Sequence, residues 1–146
     1  MQGCINLHRG WEVKIWNDTN ILGLDINHNM YDNLPGHDSR KDYIELIVLK
    51  TIGGIFLDVD VTCLKPLDEL AYRYSFFASL EPPSGLFQIV PTTVAIMGSS
   101  PGNDIIVEIH KLFVKYFANQ QYRIYVNSYG EVHDRFIKWA VSGINA

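Results

Sequence analysis

The stretch GGIFLDVDVTCLKPL, Gly53 to Leu67, decides how the rest of the chain is read. An apolar run, Ile55-Phe56-Leu57, ends on two aspartates one residue apart, Asp58 and Asp60. The run predicts a strand over 55–59, apolar throughout and so covered on both faces. In an extended chain residues i and i+2 share a face. Asp58 and Asp60 are then expected to converge at the strand end, with Val59 turned into the protein. Carboxylates are costly to desolvate unless something pairs with them. A hard divalent cation such as Mg²⁺ or Mn²⁺ prefers carboxylate oxygen and takes water and phosphate as further ligands. Ligands of open α/β sheets bind beyond the carboxyl ends of strands, where Asp60 is expected. A metal-bridged diphosphate accounts for the pair. For an isolated Asp-x-Asp the plainer reading is one turn cap and one solvated charge. The helix, double glycine and apolar strand ahead of this pair favour the functional reading.

Working outward, Ser39-Arg40-Lys41-Asp42 fits a capping box, with Ser39 as N-cap. The helix it opens carries Tyr43, Ile44, Leu46, Ile47, Val48 and Leu49, and Gly53-Gly54 ends it. Upstream, Met1 to Arg9 reads as a short helix broken by Gly10. Trp11 to Trp16 alternates apolar and polar residues, the pattern of a half-buried strand. Asn17 to Asn20 is turn chemistry, and residues 21–36 show no clear period before the Leu34-Pro35-Gly36 loop. Downstream, Leu67 to Tyr72 predicts a short helix, Phe76 to Leu80 a strand, Glu81 to Gly85 a loop and Thr92 to Met97 a strand. Gly98 to Asn103 is a turn, Asn103 or Asp104 caps a helix over 105–117, and a last helix begins near Glu131. Strands alternating with helices predict an α/β domain with a mostly parallel central sheet. It is expected to be a single domain over 1–146, with its core at 38–117.

The chain has 146 residues, 47% hydrophobic and 19% charged, with a formal net charge of -4. That balance suits one globular domain, and no basic patch offers itself to nucleic acid. Cys4 and Cys63 lack the spacing of a zinc site or a redox pair and read as two small packing residues. The five histidines show no metal-ligand spacing and also read as surface or packing residues. No apolar stretch is long enough to span a bilayer, so membrane association is not encoded in this chain, and no signal peptide opens it. Cytoplasm is expected for the chain as given, and the Golgi lumen if a longer parent carries an N-terminal anchor. One of Trp11, Trp16 and Trp139 is a candidate to stack on a sugar or base.

The segment DYIELIVLKTIGGIFLDVDVTCLKPLDEL, Asp42 to Leu70, resembles the sugar-binding region of DXD-containing glycosyltransferases. That group includes capsular-polysaccharide transferases, α-1,6-mannosyl- and α-1,4-galactosyltransferases, and the clostridial glucosylating toxins. Its pattern is S-D-x-x-R, a helix, G-G-I/M-Y-L-D-x-D and L-K-P-L. Gly53, Gly54, Ile55, Leu57, Asp58, Asp60 and Leu64 to Leu67 match it, and Asp42 falls on its first aspartate. GWEVKIWND, AIMGSSPGNDII and SYGEVHDRFIKW resemble flanking segments more weakly, so most of the chain is covered.

The resemblance implies a GT-A-like nucleotide-sugar fold that transfers a hexose from a UDP- or GDP-sugar to a glycan, lipid or protein hydroxyl, with retention. It implies Asp58 at the ribose or sugar and Asp60 on Mn²⁺ or Mg²⁺. It also places Asp42 at the donor sugar, with Glu45, Gly53 and Gly54 in the donor-binding segment. Asp42 reads equally well as a helix cap. Glu45 stands where the family has arginine, and it shares a helix face with Asp42. With Asp58 and Asp60 nearby, such a cluster needs a cation, or one member must take up a proton. Arg40 and Lys41 sit on a different face by helical spacing. The family's Gly-Pro appears as Gly130-Glu131, and the chain reads as truncated at both ends relative to the pattern. A nucleotide-sugar-binding relative without turnover is the alternative. Asp58-x-Asp60-x-Thr62 also resembles the first motif of haloacid-dehalogenase phosphatases, with Lys111 on offer, but no later acidic motif follows.

Overall fold

A computed structural model describes residues 2–80 and 92–118. The expected 81–85 loop and the helix near Glu131 lie outside them. The elements are α1 (Gln2–Leu7), a 3₁₀ turn (Asn20–Gly23), α2 (His28–Asn33), α3 (Gly36–Thr51), β1 (Gly54–Leu57), α4 (Asp68–Arg73), β2 (Phe76–Leu80), β3 (Thr92–Ser99) and α5 (Asp104–Ala118).

α3 is the centre of the molecule. Seven consecutive residues, Tyr43 to Leu49, are buried, so the helix is covered on every side. It packs on β1, β3 and α5. Tyr43 stacks on Phe113 and His110 of α5, with ring centroids 5.8 and 5.9 Å apart. α5 presents Ile106, Ile109 and Phe113 to the core at i, i+3 and i+7. Asn103 caps α5, its side chain accepting from the Ile105 N–H at 2.9 Å. The buried cluster also takes in Ile21, Ile26 and Leu34, upstream of the core expected at 38–117. Among the described residues no helix is long and apolar enough to cross a membrane.

The capping box at Ser39 is not used. α3 starts four residues earlier, at Gly36 after Pro35, and Ser39 is buried within it. Proline fixes its own φ and suits a helix boundary. The α3 exit is as expected. Ile52 and Gly53 both donate to the Val48 carbonyl, and Gly53 takes φ 75°. A Cβ at Gly53 would also lie 2.8 Å from the Pro101 nitrogen. Left-handed strain and a backbone clash act together, so Gly53→Ala should destabilise the fold by about 2–3 kcal/mol, read as a lower denaturant midpoint. An unchanged midpoint would show that the α3–β1 corner can shift away from Pro101.

The sheet corrects the expected parallel arrangement. Among the described residues it has three strands in the order β1-β3-β2, and both pairings are antiparallel. β1 and β2 therefore run the same way, but β3 comes between them in the opposite direction. A bulge at Ala78/Ser79 shifts the β2–β3 register. Gly98 sits in central β3 where a side chain would run into the Phe77 ring. Trp11 to Trp16 is not a strand: it runs irregularly and pairs with no strand among the described residues.

Candidate functional site

β1 and the first turns of α3 deliver the acidic residues to one place. β1 ends at Leu57, earlier than the expected Val59. The Asp58 N–H still bonds the Ala95 carbonyl at 3.0 Å, and the Val61 N–H then closes a turn onto the Asp58 carbonyl at 3.1 Å. Asp58 and Asp60 are thus first and third residues of a turn, not strand neighbours. Val59, expected inside, is 73% exposed, and the strand residues are half-buried, not covered on both faces.

The turn borders a cleft of about 650 Å³ lined by Asp58, Asp60, Lys41, Arg40 and, across from them, Trp11 and Trp16. That size suits a small-molecule ligand. The loop beyond Asp60 is tied to the N-terminal segment at three points. Cys63 is disulfide-bonded to Cys4, with Cα atoms 4.9 Å apart. The Leu67 N–H donates to His8 Nε2 at 2.8 Å, so His8 Nδ1 carries the proton and donates to the Cys4 carbonyl at 2.7 Å. Trp11 Nε1–H donates to Asp68 at 3.0 Å. The disulfide overturns the reading of two unrelated packing cysteines. The even count of two was its one sequence signal.

Lys41 is the cation at the centre of the cluster. Its Nζ lies 2.8 Å from Asp58 Oδ1 and 3.4 Å from Asp42 Oδ1. Helical spacing set Lys41 on another face, but its four-carbon stem reaches round the helix. Burial works against its charge, yet the Asp58 hydrogen bond and the charges of Asp42 and Asp58 outweigh it and hold its pKa above the ordinary lysine value. Asp42 lies in the second turn of α3, which removes the capping role. Its burial raises its pKa against the pull of Lys41.

Glu45 is 1% exposed, and neither carboxyl oxygen has a hydrogen-bond partner among the described residues. Burial pushes its pKa up to about 9; Lys41 opposes this, and Asp42 and Asp58 add to it. It is a neutral acid at pH 7 and does not line the cleft. Gly53 and Gly54 do not line it either: Gly53 packs on Pro101, and Gly54 opens β1 opposite Ser99. Lys111, the phosphatase candidate, pairs with Glu108 at 3.1 Å on the surface of α5.

Two carboxylates in one turn, with room for phosphate oxygens and water, suit a divalent cation. Among the described residues no three acidic, histidine or cysteine side chains group as a complete metal site. The lysine on Asp58 must therefore be reckoned with in any metal reading.

A family described as "Glycosyltransferase sugar-binding region containing DXD motif" matches residues 1–77. Inositol phosphoceramide mannosyltransferase 3 of Schizosaccharomyces pombe is 27% identical over 126 residues, 83% of this chain and 33% of that protein. Inositol phosphoceramide mannosyltransferase 2 of the same yeast is 30% identical over 105 residues, 68% of this chain and 28% of that protein. Mannosyl phosphorylinositol ceramide synthase CSH1 of Saccharomyces cerevisiae is 27% identical over 144 residues, 93% of this chain and 35% of that protein. The chain spans about a third of the length of these relatives. No solved structure matches.

Proposed function

Because the chain belongs to the glycosyltransferase family whose sugar-binding region contains the DXD motif, we propose that it transfers a hexose from a UDP- or GDP-sugar to an acceptor hydroxyl, with retention. The carrying observation is the Asp58–Val61 turn, which presents both aspartates of the motif at the mouth of a ligand-sized cleft. The relatives' names put a mannosyl group and an inositol phosphoceramide in their reactions. We carry both to this chain: mannose as the sugar, and a hydroxyl of an inositol-phosphate-headed lipid as the acceptor. Residues 1–146 are taken as one catalytic domain. The Cys4–Cys63 disulfide supports the second compartment that the sequence left open, an oxidising lumen.

In this reading Asp58 and Asp60 would hold Mn²⁺ or Mg²⁺. Bound there, the metal would neutralise charge developing on the leaving diphosphate. Asp60, exposed at the turn, is free to meet the metal, whereas Asp58 must first be shared with Lys41. Asp42 is half-buried beside Lys41 and does not line the cleft, so the donor-sugar role expected of it is not carried into this scheme; it acts through Lys41, 3.4 Å away.

The reading is tested by calorimetric titration of UDP and GDP with Mn²⁺ and then with EDTA. Metal-dependent binding of one nucleotide is expected; binding of neither sinks it. Asp60→Asn should weaken that binding by roughly tenfold or more and leave the melting temperature unchanged, since an exposed turn carboxylate packs against little. The lysine already seated on Asp58 favours a second reading, a binding module without turnover. Hydrolysis of UDP- or GDP-mannose above background separates the two.

A further inference from the structure

Lys41 is more than a structural counter-ion. Its ammonium lies 2.8 Å from Oδ1 of Asp58, a carboxylate that the metal reading assigns to the cation. A divalent ion held by Asp58 and Asp60 would draw on the same carboxylate. Metal and ammonium would then be two cations on one carboxylate. Two cations so close repel, and each weakens the other's hold on the carboxylate. Glu12, Asp18 and Asp38 also line the cleft, but only Asp58 and Asp60 share the turn at the end of β1. Lys41 has a flexible stem, three donors and a 37% exposed side chain that borders the cleft.

On the metal-dependent reading proposed above, we propose that Lys41 is a relay cation. It neutralises Asp58 until metal and donor arrive, then leaves that carboxylate to the metal and closes on the donor's diphosphate. Asp58, Asp60, Asp42 and Lys41 together sum to two negative charges with all four ionised, so a divalent ion balances the turn. The incoming diphosphate supplies the anion that the displaced ammonium needs. Metal and nucleotide thereby become mutually dependent ligands. The metal alone must evict Lys41 with nothing to receive it, and the nucleotide alone meets a lysine already engaged. Each eases the entry of the other, which is positive coupling between two ligands. It also limits futile metal binding while the cleft lacks a donor.

A static brace predicts something different. If Lys41 only fixes the turn, removing it loosens Asp58 and weakens every ligand. The relay predicts effects of opposite sign. Lys41→Met should bind Mn²⁺ alone roughly tenfold tighter, because a competing cation is gone, and should bind the nucleoside diphosphate in saturating Mn²⁺ roughly tenfold or more weaker. The experiment is titration of Mn²⁺ alone, by its paramagnetic resonance, and then of UDP and GDP at saturating Mn²⁺, on the wild type, Lys41→Met and Lys41→Gln. Lys41→Gln keeps a hydrogen bond to Asp58 without the charge, so it serves if the Met variant fails to fold. Lys41→Arg, which keeps a cation, should restore much of the coupling. Opposite shifts in the uncharged variants support the relay. Parallel weakening, or no change, in a wild type that binds Mn²⁺ and nucleotide overturns the relay and leaves the transferase reading standing. A wild type that binds neither overturns both.

Discussion

Raising the pH from 5 to 9 lowers the stability of this chain by up to about 5 kcal/mol, and Glu45→Gln removes most of that dependence. The cause is one carboxyl. Glu45 is 1% exposed and has no hydrogen-bond partner among the described residues. Its pKa rises from the ordinary 4.5 to about 9 on burial. Between those values the folded chain holds a proton that the unfolded chain has released. Its contribution is fully present below pH 4.5 and is lost as pH climbs towards 9. Asp42, also raised by burial, acts in the same direction. His110 acts in the other. Burial, with Lys50 adding to it, lowers its pKa from 6.5 to about 4, so its contribution is present above pH 6.5 and is lost as pH falls towards 4. The two slopes oppose between pH 4.5 and 6.5, and above that range His110 no longer opposes Glu45. Urea unfolding across pH 5 to 9 reads this directly. Glu45→Gln, a neutral isostere of the protonated acid, should be the more stable protein at pH 8. A flat wild-type profile from pH 6.5 to 9 would mean that Glu45 ionises without cost and that its surroundings open to water.

Reduction should be nearly as damaging. The Cys4–Cys63 bridge spans a sequence separation of 59 residues. By loop-closure entropy, losing it costs about 4 kcal/mol, a large part of a typical domain's stability. Thiol titration of the unfolded, unreduced chain should find no free thiol, and adding a phosphine reductant should lower the urea midpoint sharply. The Cys4→Ser/Cys63→Ser protein should match the reduced wild type and ignore the reductant. Two free thiols before reduction would remove the bridge and, with it, the support for an oxidising lumen. His8–Leu67 and Trp11–Asp68 still tie the same loop, so reduction should weaken the clamp without releasing it outright.

The legible parts of this fold are those written in local signals. Gly53 marked the end of α3, Asn103 marked the start of α5, and Phe76 to Leu80 declared β2 to the residue. The direction of the sheet was not legible, because antiparallel pairing of β3 with both β1 and β2 is a long-range choice that leaves no local trace. Trp11 to Trp16 misled for a related reason. Trp11 and Trp16 are half-buried, Val13 and Ile15 are exposed, all four border the cleft, and among the described residues no partner strand lies behind the pattern. The acidic cluster was read well in outline. Sequence said that four carboxyl groups need a cation or a proton; the fold uses both, Lys41 for Asp58 and a proton for Glu45. What failed was the assumption that helical face alone decides reach. For a lysine the stem length decides it.

The strand order carries a consequence for how the chain is made. β1 and β2 do not bond to each other, and both wait for β3, which comes last of the three in sequence. A ribosome emits roughly 5–20 residues per second. It releases β1 some forty residues before β3 is complete. β1 therefore waits roughly 2–8 seconds, and for about the last 1–4 of them, after β2 is complete, the nascent chain carries two strands of apolar residues without their β3 partner. That interval is where a chaperone has most to offer this protein and where neighbouring nascent chains have most opportunity to aggregate with it.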